Sequence, residues 1–548
     1  MIARATGQLA RLLPRLSDYA DVPRSWRRDI LAGITVGVVA LPLALAFGIS
    51  SGVGAAAGLI TAVIAGVVAA VFGGSHVQVS GPTGAMAVVL APIVAQHGVG
   101  SVALVTALAG VIVLAAGITG LGRAVTFIPW PVIEGFTLGI AAIIFLQQVP
   151  AAFGAVAPSG QRTLAAAWTV ASHADWSSAY RTLAVVGFVA AFMVGMPRLH
   201  RGIPESLTAV AAATLIVVVF HLPVGTIGNL PSHLPAPVIP HADLGALRTL
   251  LGAAVAIAAL AAIESLLSAR VAATMSPSGP YDPDRELVGQ GLASMASGLF
   301  GGMPATGAIA RTAVNVRSGA RTRLSAIVHS ALLLGVVYLA TGPVAAIPLS
   351  ALAGVLMVTS FRMISAATVG KIVLRSTRSD ALAFVLTAVV TVCFDLIEAV
   401  EIGILIAAFF ALRTVARRSS VAREDLPGPY QLGDERIALL RLDGAMFFGA
   451  AERLSNAITT HPDVSVVIIR MSQLGMLDAT GAHTLAEITE DLEARGVTVI
   501  IKGVQPEHMA LLANMGIVDA LRHENHLIDS LDDAIRHARS HAAPVVYP

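Results

Sequence analysis

Charge is scarce in this chain of 548 residues: Asp, Glu, Lys and Arg together make up 12% of it, against roughly 25% in an ordinary soluble domain. Between Ile30 and Gly122 there is no charged residue at all. No aqueous surface can be built from such a run, so most of the chain is expected in lipid, as the mean hydropathy of +0.79 also requires. Cysteine is almost missing, and the single Cys393 excludes a disulfide framework or a thiolate metal cluster. A strong net charge is missing too; the value of +2 gives no reason to expect a nucleic-acid partner. The N-terminus lacks the compact pattern of a cleaved leader. Arg4, Arg11, Arg15, Arg24, Arg27 and Arg28 are spread through a long polar stretch before the first apolar run, and residues 1–29 read as a cytoplasmic tail. Histidines such as His76, His97 and His329 read as scattered, without metal-ligand or nucleophile–base spacing. No metal, no cofactor and no enzymatic reaction is therefore expected.

What is present is a series of apolar segments of spanning or near-spanning length. They lie near 30–49, 55–73, 79–96, 101–120, 127–148, 182–197, 205–221, 248–270, 286–300, 303–316, 324–341, 344–360, 380–396 and 398–415. This reading gives fourteen passes. Loop charge orients them, because Lys and Arg favour the cytoplasmic side. Arg123, then Arg198 and Arg201, then Arg317, Arg321 and Arg323 fall in alternate loops, followed by Arg362, Lys371, Arg375 and Arg378 and by Arg413, Arg417 and Arg418. The opposite loop at 222–247 has neither Lys nor Arg. Both termini are expected in the cytoplasm of a cell whose inner membrane holds the chain. Glu134, Asp395, Glu398 and Glu401 fall near segment ends and read as interfacial.

The transmembrane region is expected to end at 418, with a polar, Pro- and Gly-bearing linker at 419–435 and a separate cytoplasmic domain at 436–548. Short β-rich runs at 437–442, 464–471 and 497–503 alternate with amphipathic helices at 450–460, 480–495 and 506–515. On the second of these helices Leu485, Ile488 and Leu492 share one face. Strands alternating with helices predict a small α/β layer domain.

Two stretches interrupt the apolar pattern in the same way. "FGGSHVQVSGPTGA" begins at Phe72 and "FGGMPATGAIARTA" at Phe300. Each has Phe-Gly-Gly closing an apolar span, a short extended piece, and then Pro, Thr and Gly before a new apolar helix. Paired Gly/Pro-interrupted segments point to a transporter's midplane site and to two halves on one plan. Non-helical backbone survives at membrane depth only where protein or a water-filled cavity satisfies it. A helix that restarts there exposes unpaired N–H groups at its positive end. Two such ends facing each other would make an anion site without a dedicated lysine.

These residues carry a family likeness. The chain resembles the sulfate permease (SulP) family, bacterial relatives of solute carrier family 26. The resemblance covers nearly the whole chain. It includes "RRDILAGITVGVVALPLALAFGISSG" in the first pass, "SGPTGA" opening the third, "AAIESLLSAR" in the eighth and "GGMPATGAIARTAVNVRSGARTRLS" around the tenth. The C-terminal region resembles a STAS domain. The resemblance implies a polytopic α-helical membrane protein of 14 transmembrane segments in a 7+7 inverted repeat, divided into core and gate domains and followed by the α/β STAS domain. It also implies secondary anion transport by alternating access, in a homodimer, with a small inorganic anion held between the third and tenth passes.

By the same resemblance Thr83, Gly84 and Ala85 match the anion-binding start of the third pass, and Ala308, Ile309 and Ala310 that of the tenth. Phe47 matches an aromatic lining the site from the first pass, whereas Leu43 replaces a Gln common in the family. Arg311 matches an arginine that several animal members place near the anion; the alternative is a side chain snorkelling toward the cytoplasm.

"ALPLALAFG", "SGPTG", "RELVGQGLASMASGLFGG" and "AVNVRSGARTRLS" are most similar to the bicarbonate branch. Its sodium-coupled members have Asp, Thr and Thr where this chain has Glu264, Ser268 and Ile309. Ile309 offers no side-chain oxygen to sodium. A carboxylate at mid-membrane is functional by default, and Glu264 suits a proton-coupling group; a structural pairing with Arg311 is the other reading. In the STAS domain, Ala479 stands where the sporulation anti-anti-sigma proteins have a phosphorylated Ser, so that switch is not expected. Thr480 can serve only as a different phosphosite, or beside Asp478 at a helix N-cap.

The expected function is thus proton-coupled transport of an anion of the sulfate or bicarbonate class. Sodium-coupled bicarbonate symport is one alternative, and a non-transporting receptor signalling through STAS to a cytoplasmic protein partner is another. A nucleobase carrier of the same fold would need a polar pair on the eighth and tenth passes, where only Glu264 is present.

Overall fold

The computed structural model describes residues 11–123, 130–158, 161–199, 204–240, 244–276, 279–393, 409, 420–446 and 464–542. It separates into two compact units, Met1–Ile406 and Ala407–Pro548.

In the first unit, apolar runs that find no polar partner in lipid satisfy their backbone as helices. In chain order these are α1 (Val22–Ser50), α2 (Ala55–Phe72), α3 (Gly84–His97), α4 (Ser101–Ile118), α5 (Trp130–Ala152), α6 (Thr163–Ser172), α7 (Trp176–Leu199) and α8 (Glu205–Val219). There follow α9 (Leu244–Met275), α10 (Pro283–Leu299), α11 (Ile309–Arg317), α12 (Leu324–Leu339), α13 (Thr341–Ala345), α14 (Leu349–Met363), α15 (Ala366–Arg375) and α16 (Arg378–Cys393). Seven described helical stretches are long and apolar enough to cross a bilayer. Large apolar side chains such as Leu251, Val255, Val111 and Val194 stand exposed on them, as a lipid-facing surface requires.

The run-length reading departs from the structure in instructive places. The first helix starts at Val22, because the exposed Arg24, Arg27 and Arg28 are tolerated on its polar side while Ser25 and Asp29 turn inward. The runs at 79–96 and 303–316 are not single helices. Each opens with an extended piece, β1 (Ser80–Gly81) and β2 (Thr306–Gly307), before α3 and α11 begin. The short α6 and α15 fall between the expected passes. The last expected pass at 398–415 lies, but for position 409, outside the described residues, with Asp395, Glu398, Glu401, Arg413, Arg417 and Arg418. Glu134 sits one turn into α5, where Trp130 Nε1 donates to it at 3.0 Å.

The packing repeats under exchange of the two halves. α1 packs on α12 as α9 packs on α4, and α2 on α12 as α10 on α4. Likewise α1 meets α11 as α9 meets α3, and α7 meets α14 as α16 meets α5. Matching α1, α2, α3, α4, α5 and α7 with α9, α10, α11, α12, α14 and α16 reproduces every one of these pairs. Two sequence halves with one plan, folded about a common axis, give this result.

In the second unit, five strands run in the order β3 (Ser420–Glu424), β4 (Ile437–Met446), β5 (Val466–Leu477), β6 (Thr498–Lys502), β7 (Leu527–Ile528). β3 is antiparallel to β4 and the other neighbours are parallel. Strand alternation divides the apolar residues between two faces. Leu440, Val467, Ile469, Val499 and Ile501 pack with Leu485 and Leu492 of α17 (Ala479–Ala494) and Leu512 of α18 (Pro506–Asn514). The short α19 (Ile517–Ala520) follows. Leu439, Val466, Ile468 and Ile500 pack on the other face with Ala534, Ile535 and Ala538 of α20 (Leu531–Ala542). The stretch read as linker therefore supplies the edge strand β3. Its polar "SVARE" hides the strand, since an edge needs no apolar alternation. The expected helix at 450–460 lies outside the described residues.

Candidate functional site

At about 1.5 Å per residue, α3 and α11, with 14 and 9 residues, are too short to span a hydrocarbon core of about 30 Å. Their N-termini are therefore set inside the unit, and β1 and β2 hold them together. Those strands pair antiparallel, Ser80 opposite Gly307 and Gly81 opposite Thr306. Ala308 N extends the ladder by donating to Val79 O at 2.9 Å. The polar backbone of each break is thus satisfied largely by the other.

Three expected site residues meet at this crossing. Thr83 is the N-cap of α3, its hydroxyl accepting from Met86 N, and it donates to Glu264 Oε2 at 2.9 Å. Glu264 comes from α9, is half-buried, and is also in reach of the Thr306 hydroxyl. Arg311, in the first turn of α11, is buried and turns back across the break, where its Nη2 donates to Pro82 O. Its Nη1 is buried without a hydrogen-bond partner. Gly81, at a φ of +152°, makes room for it: a Cβ there would lie 2.8 Å from Nη1. Arg311 is directed into the protein and does not snorkel.

The remaining expected residues surround this trio. Ala85 is buried behind Gly84 in the first turn of α3. Gly84 is a point of close approach, since a Cβ would lie 2.3 Å from Ile144 Cδ1 of α5 and 3.2 Å from Phe47 Cε1 of α1. Phe47 and Ile144 thus close over the start of α3. One turn further along α3, Val88, Ala91 and Pro92 line a cavity of about 400 Å³ together with Ser50, Ile143 and Gln147. At the other break Ala308 is the buried N-cap of α11, while Ile309 and Ala310 are exposed. Leu43 is buried in the core. Ser268 stands apart from the trio: its hydroxyl pairs with Thr312 Oγ1 at 3.1 Å, and Thr312 accepts from Val79 N. It fastens α9 to α11.

Two buried carboxylates belong to the same framework and escape the reading from sequence. Glu286 of α10 accepts from Gly74 N and Ser75 N at 2.9 and 3.1 Å, taking up amides that the first break leaves free. Asp29 of α1 accepts from Arg321 N, Thr322 N and the Thr322 hydroxyl, holding the turn that leads into α12. The available signal was the helix break itself, because orphan amides in an apolar medium demand an acceptor. In the second unit Asp478 is the N-cap of α17, accepting from Gly481 N at 2.7 Å, and Thr480 is exposed beside it. The histidines are not all scattered: His526, His537 and His541 converge there.

Seven described stretches long enough to cross a bilayer, packed around two short helices whose starts are joined inside the unit beside Arg311, have the make-up of a membrane transporter. The Sulfate permease family model matches residues 26–387, and the STAS domain model matches 432–534. The chain belongs to the sulfate permease family, whose members transport anions and are not enzymes. It is similar to YvdB of Bacillus subtilis, at 34% identity over 93% of this chain and 97% of that one. It is 31% identical to the bicarbonate transporter BicA of Synechocystis sp., over 94% of both chains. The transmembrane domain of a cyanobacterium bicarbonate transporter BicA superposes with a TM-score of 0.62 and 34% identity, covering 69% of this chain and 98% of that one. The SLC26A9 structure superposes with a TM-score of 0.85 over 98% of this chain and 94% of that one; at 16% identity this shows the fold alone.

Proposed function

We propose that the chain is a proton-coupled secondary carrier of a small inorganic anion of the sulfate or bicarbonate class. The anion sits between the N-termini of α3 and α11, and Glu264 carries the proton. One observation carries this reading: Glu264 is hydrogen-bonded to the cap of α3 while the partnerless Nη1 of Arg311 lies at the same crossing. An ionised Glu264 would repel the incoming anion and compete for Arg311. A protonated Glu264 removes that competition, and an uncharged carboxyl is the cheaper one to keep away from water. Anion and proton therefore favour each other's binding. Sodium coupling has less support, because Ile309 has no oxygen and Ser268 is engaged with Thr312. By alternating access the gate helices, α5, α7, α14 and α16 among those described, would move against the rest. Residues 30–418 form the transport domain in this reading, and 436–548 the cytoplasmic STAS domain, joined through 419–435.

The loop charges support both termini in the cytoplasm, and the family resemblance implies a homodimer in the inner membrane. The experiment is uptake of labelled sulfate and bicarbonate by proteoliposomes, under imposed pH and sodium gradients. Uptake should rise as outside pH falls and ignore sodium. Glu264→Gln should abolish the pH dependence and still bind anion, since Gln imitates the protonated carboxyl. Strict sodium dependence in the parent protein would return the chain to sodium-coupled bicarbonate symport. Absence of uptake under every gradient would favour a receptor that signals through STAS to a protein partner.

A further inference from the structure

The C-terminal helix α20 buries Ala534, Ile535, Ala538 and Ala542 against the sheet. His537 and His541, four residues apart, lie one above the other along its side. The single-turn helix Glu524–His526 brings in His526 just before β7. The ring centroids are 5.2 Å apart for His526 and His537, 5.5 Å for His526 and His541, and 4.9 Å for His537 and His541. One ligand nitrogen from each ring lies within 4.8 Å of the other two.

Two further observations point to a ligand. His526 is 1% exposed, and its Nδ1 is buried without a hydrogen-bond partner. His537 Nε2 is buried without one as well. A buried polar atom left unpaired is costly, and edge-to-face ring contacts alone do not recover that cost. The His526 ring also reaches the backbone of Val499, the kind of outer contact that fixes a ligating imidazole. Burial first, and then the neighbouring imidazoles, holds His526 down to about 4.

We propose that His526, His537 and His541 form a site for a divalent transition-metal ion of the zinc class. Three imidazoles and no carboxylate among the ligands exclude the oxygen-seeking Mg²⁺ and Ca²⁺ and suit Zn²⁺, Co²⁺, Ni²⁺ or Cu²⁺. Zinc–nitrogen bonds of about 2.0–2.1 Å require the three nitrogens to close in by small rotations, which the exposed His541 can supply. Water or His523, whose ring centroid lies 6.0 Å from that of His526, takes the fourth place. The ion would fasten α20 to the turn before β7 and stabilise the STAS domain by mass action. The transported ion plays no part in this.

The test uses the full-length chain purified in detergent, stripped with a chelator, and titrated with Zn²⁺ and with Co²⁺. One equivalent of zinc per chain should bind and raise the melting temperature of the STAS domain, and bound Co²⁺ should show the intense visible bands of a tetrahedral site. His541→Ala and His537→Ala should each weaken binding by at least about tenfold. His483→Ala, at an exposed histidine on α17, should leave it unchanged. Absence of both stoichiometric zinc and the cobalt bands would overturn the site, using the unaltered chain. So would parental affinity in the His537→Ala, His541→Ala double variant.

Discussion

The two helix breaks are built alike and finished differently. At the first, α3 begins under a side-chain cap from Thr83, and its opening turn is buried against α1 and α5. At the second, α11 begins at Ala308 with no side-chain cap, and Ile309 and Ala310 are exposed. A capped N-terminus has already used part of its capacity to hold an anion; an uncapped one keeps it. The α11 end also carries Arg311, whereas the α3 end holds Glu264 through Thr83. One plan, used twice, thus has an uncapped, exposed start beside Arg311 and a capped, buried start beside Glu264. Under the proposed proton-coupled reading, this asymmetry would put binding mainly on α11 and coupling mainly on α3.

The sharpest way to break this comparison is at Arg311. Arg311→Met keeps the apolar stem and removes the charged donor, worth about 1.5–3 kcal/mol. Anion affinity, measured by isothermal titration or by the KM of uptake, should fall by about 10- to 100-fold. An affinity close to the parental value would show that the α11 end is not the cationic side.

Thr83→Val keeps the shape of the cap and removes both its hydrogen bonds. Losing a cap costs about 1 kcal/mol, so affinity should weaken by about fivefold, less than for Arg311→Met. A larger loss than that of Arg311→Met would invert the division of labour.

The smallest effect is expected at Ile309. Ile309→Thr supplies the oxygen that sodium coupling would use, yet Ser268 stays bound to Thr312. Uptake should respond to a sodium gradient by less than about twofold, on the order of 0.4 kcal/mol. A strong sodium response would show that one side chain alone withholds that coupling.

Much of this site was legible in the sequence because helix breaks at membrane depth are expensive. Gly, Pro and Thr in paired apolar contexts announce both α3 and α11, and a lone Glu in the apolar eighth pass announces Glu264. Glu286 and Asp29 were not legible from position, since both sit near the ends of apolar runs, where a carboxylate ordinarily meets water. Their burial follows from which amides the fold leaves unpaired, and that is known only once β1, β2 and the turn before α12 are placed. The pairing of Ser268 with Thr312 was not legible for a related reason. The spacing of Ser268 from Glu264 fits one helix face, but the proximity of Thr312 depends on how α9 and α11 cross. The histidine trio was half visible, as His537 and His541 have helical spacing, while His526 joins them only through the sheet.

The short ladder between β1 and β2 has a mechanical consequence. Three paired backbone positions, Val79 with Ala308, Ser80 with Gly307 and Gly81 with Thr306, lash one half of the repeat to the other where α3 and α11 begin. Neither half-helix can be withdrawn without tearing that lashing, so in the proposed alternating-access cycle the two helix starts would travel together, like cargo in a lift cage. On that reading, selectivity would belong to the cage and speed to the shaft around it. Substitutions at Ile144, on the α5 wall, should therefore alter turnover and leave the ranking of anions as it was.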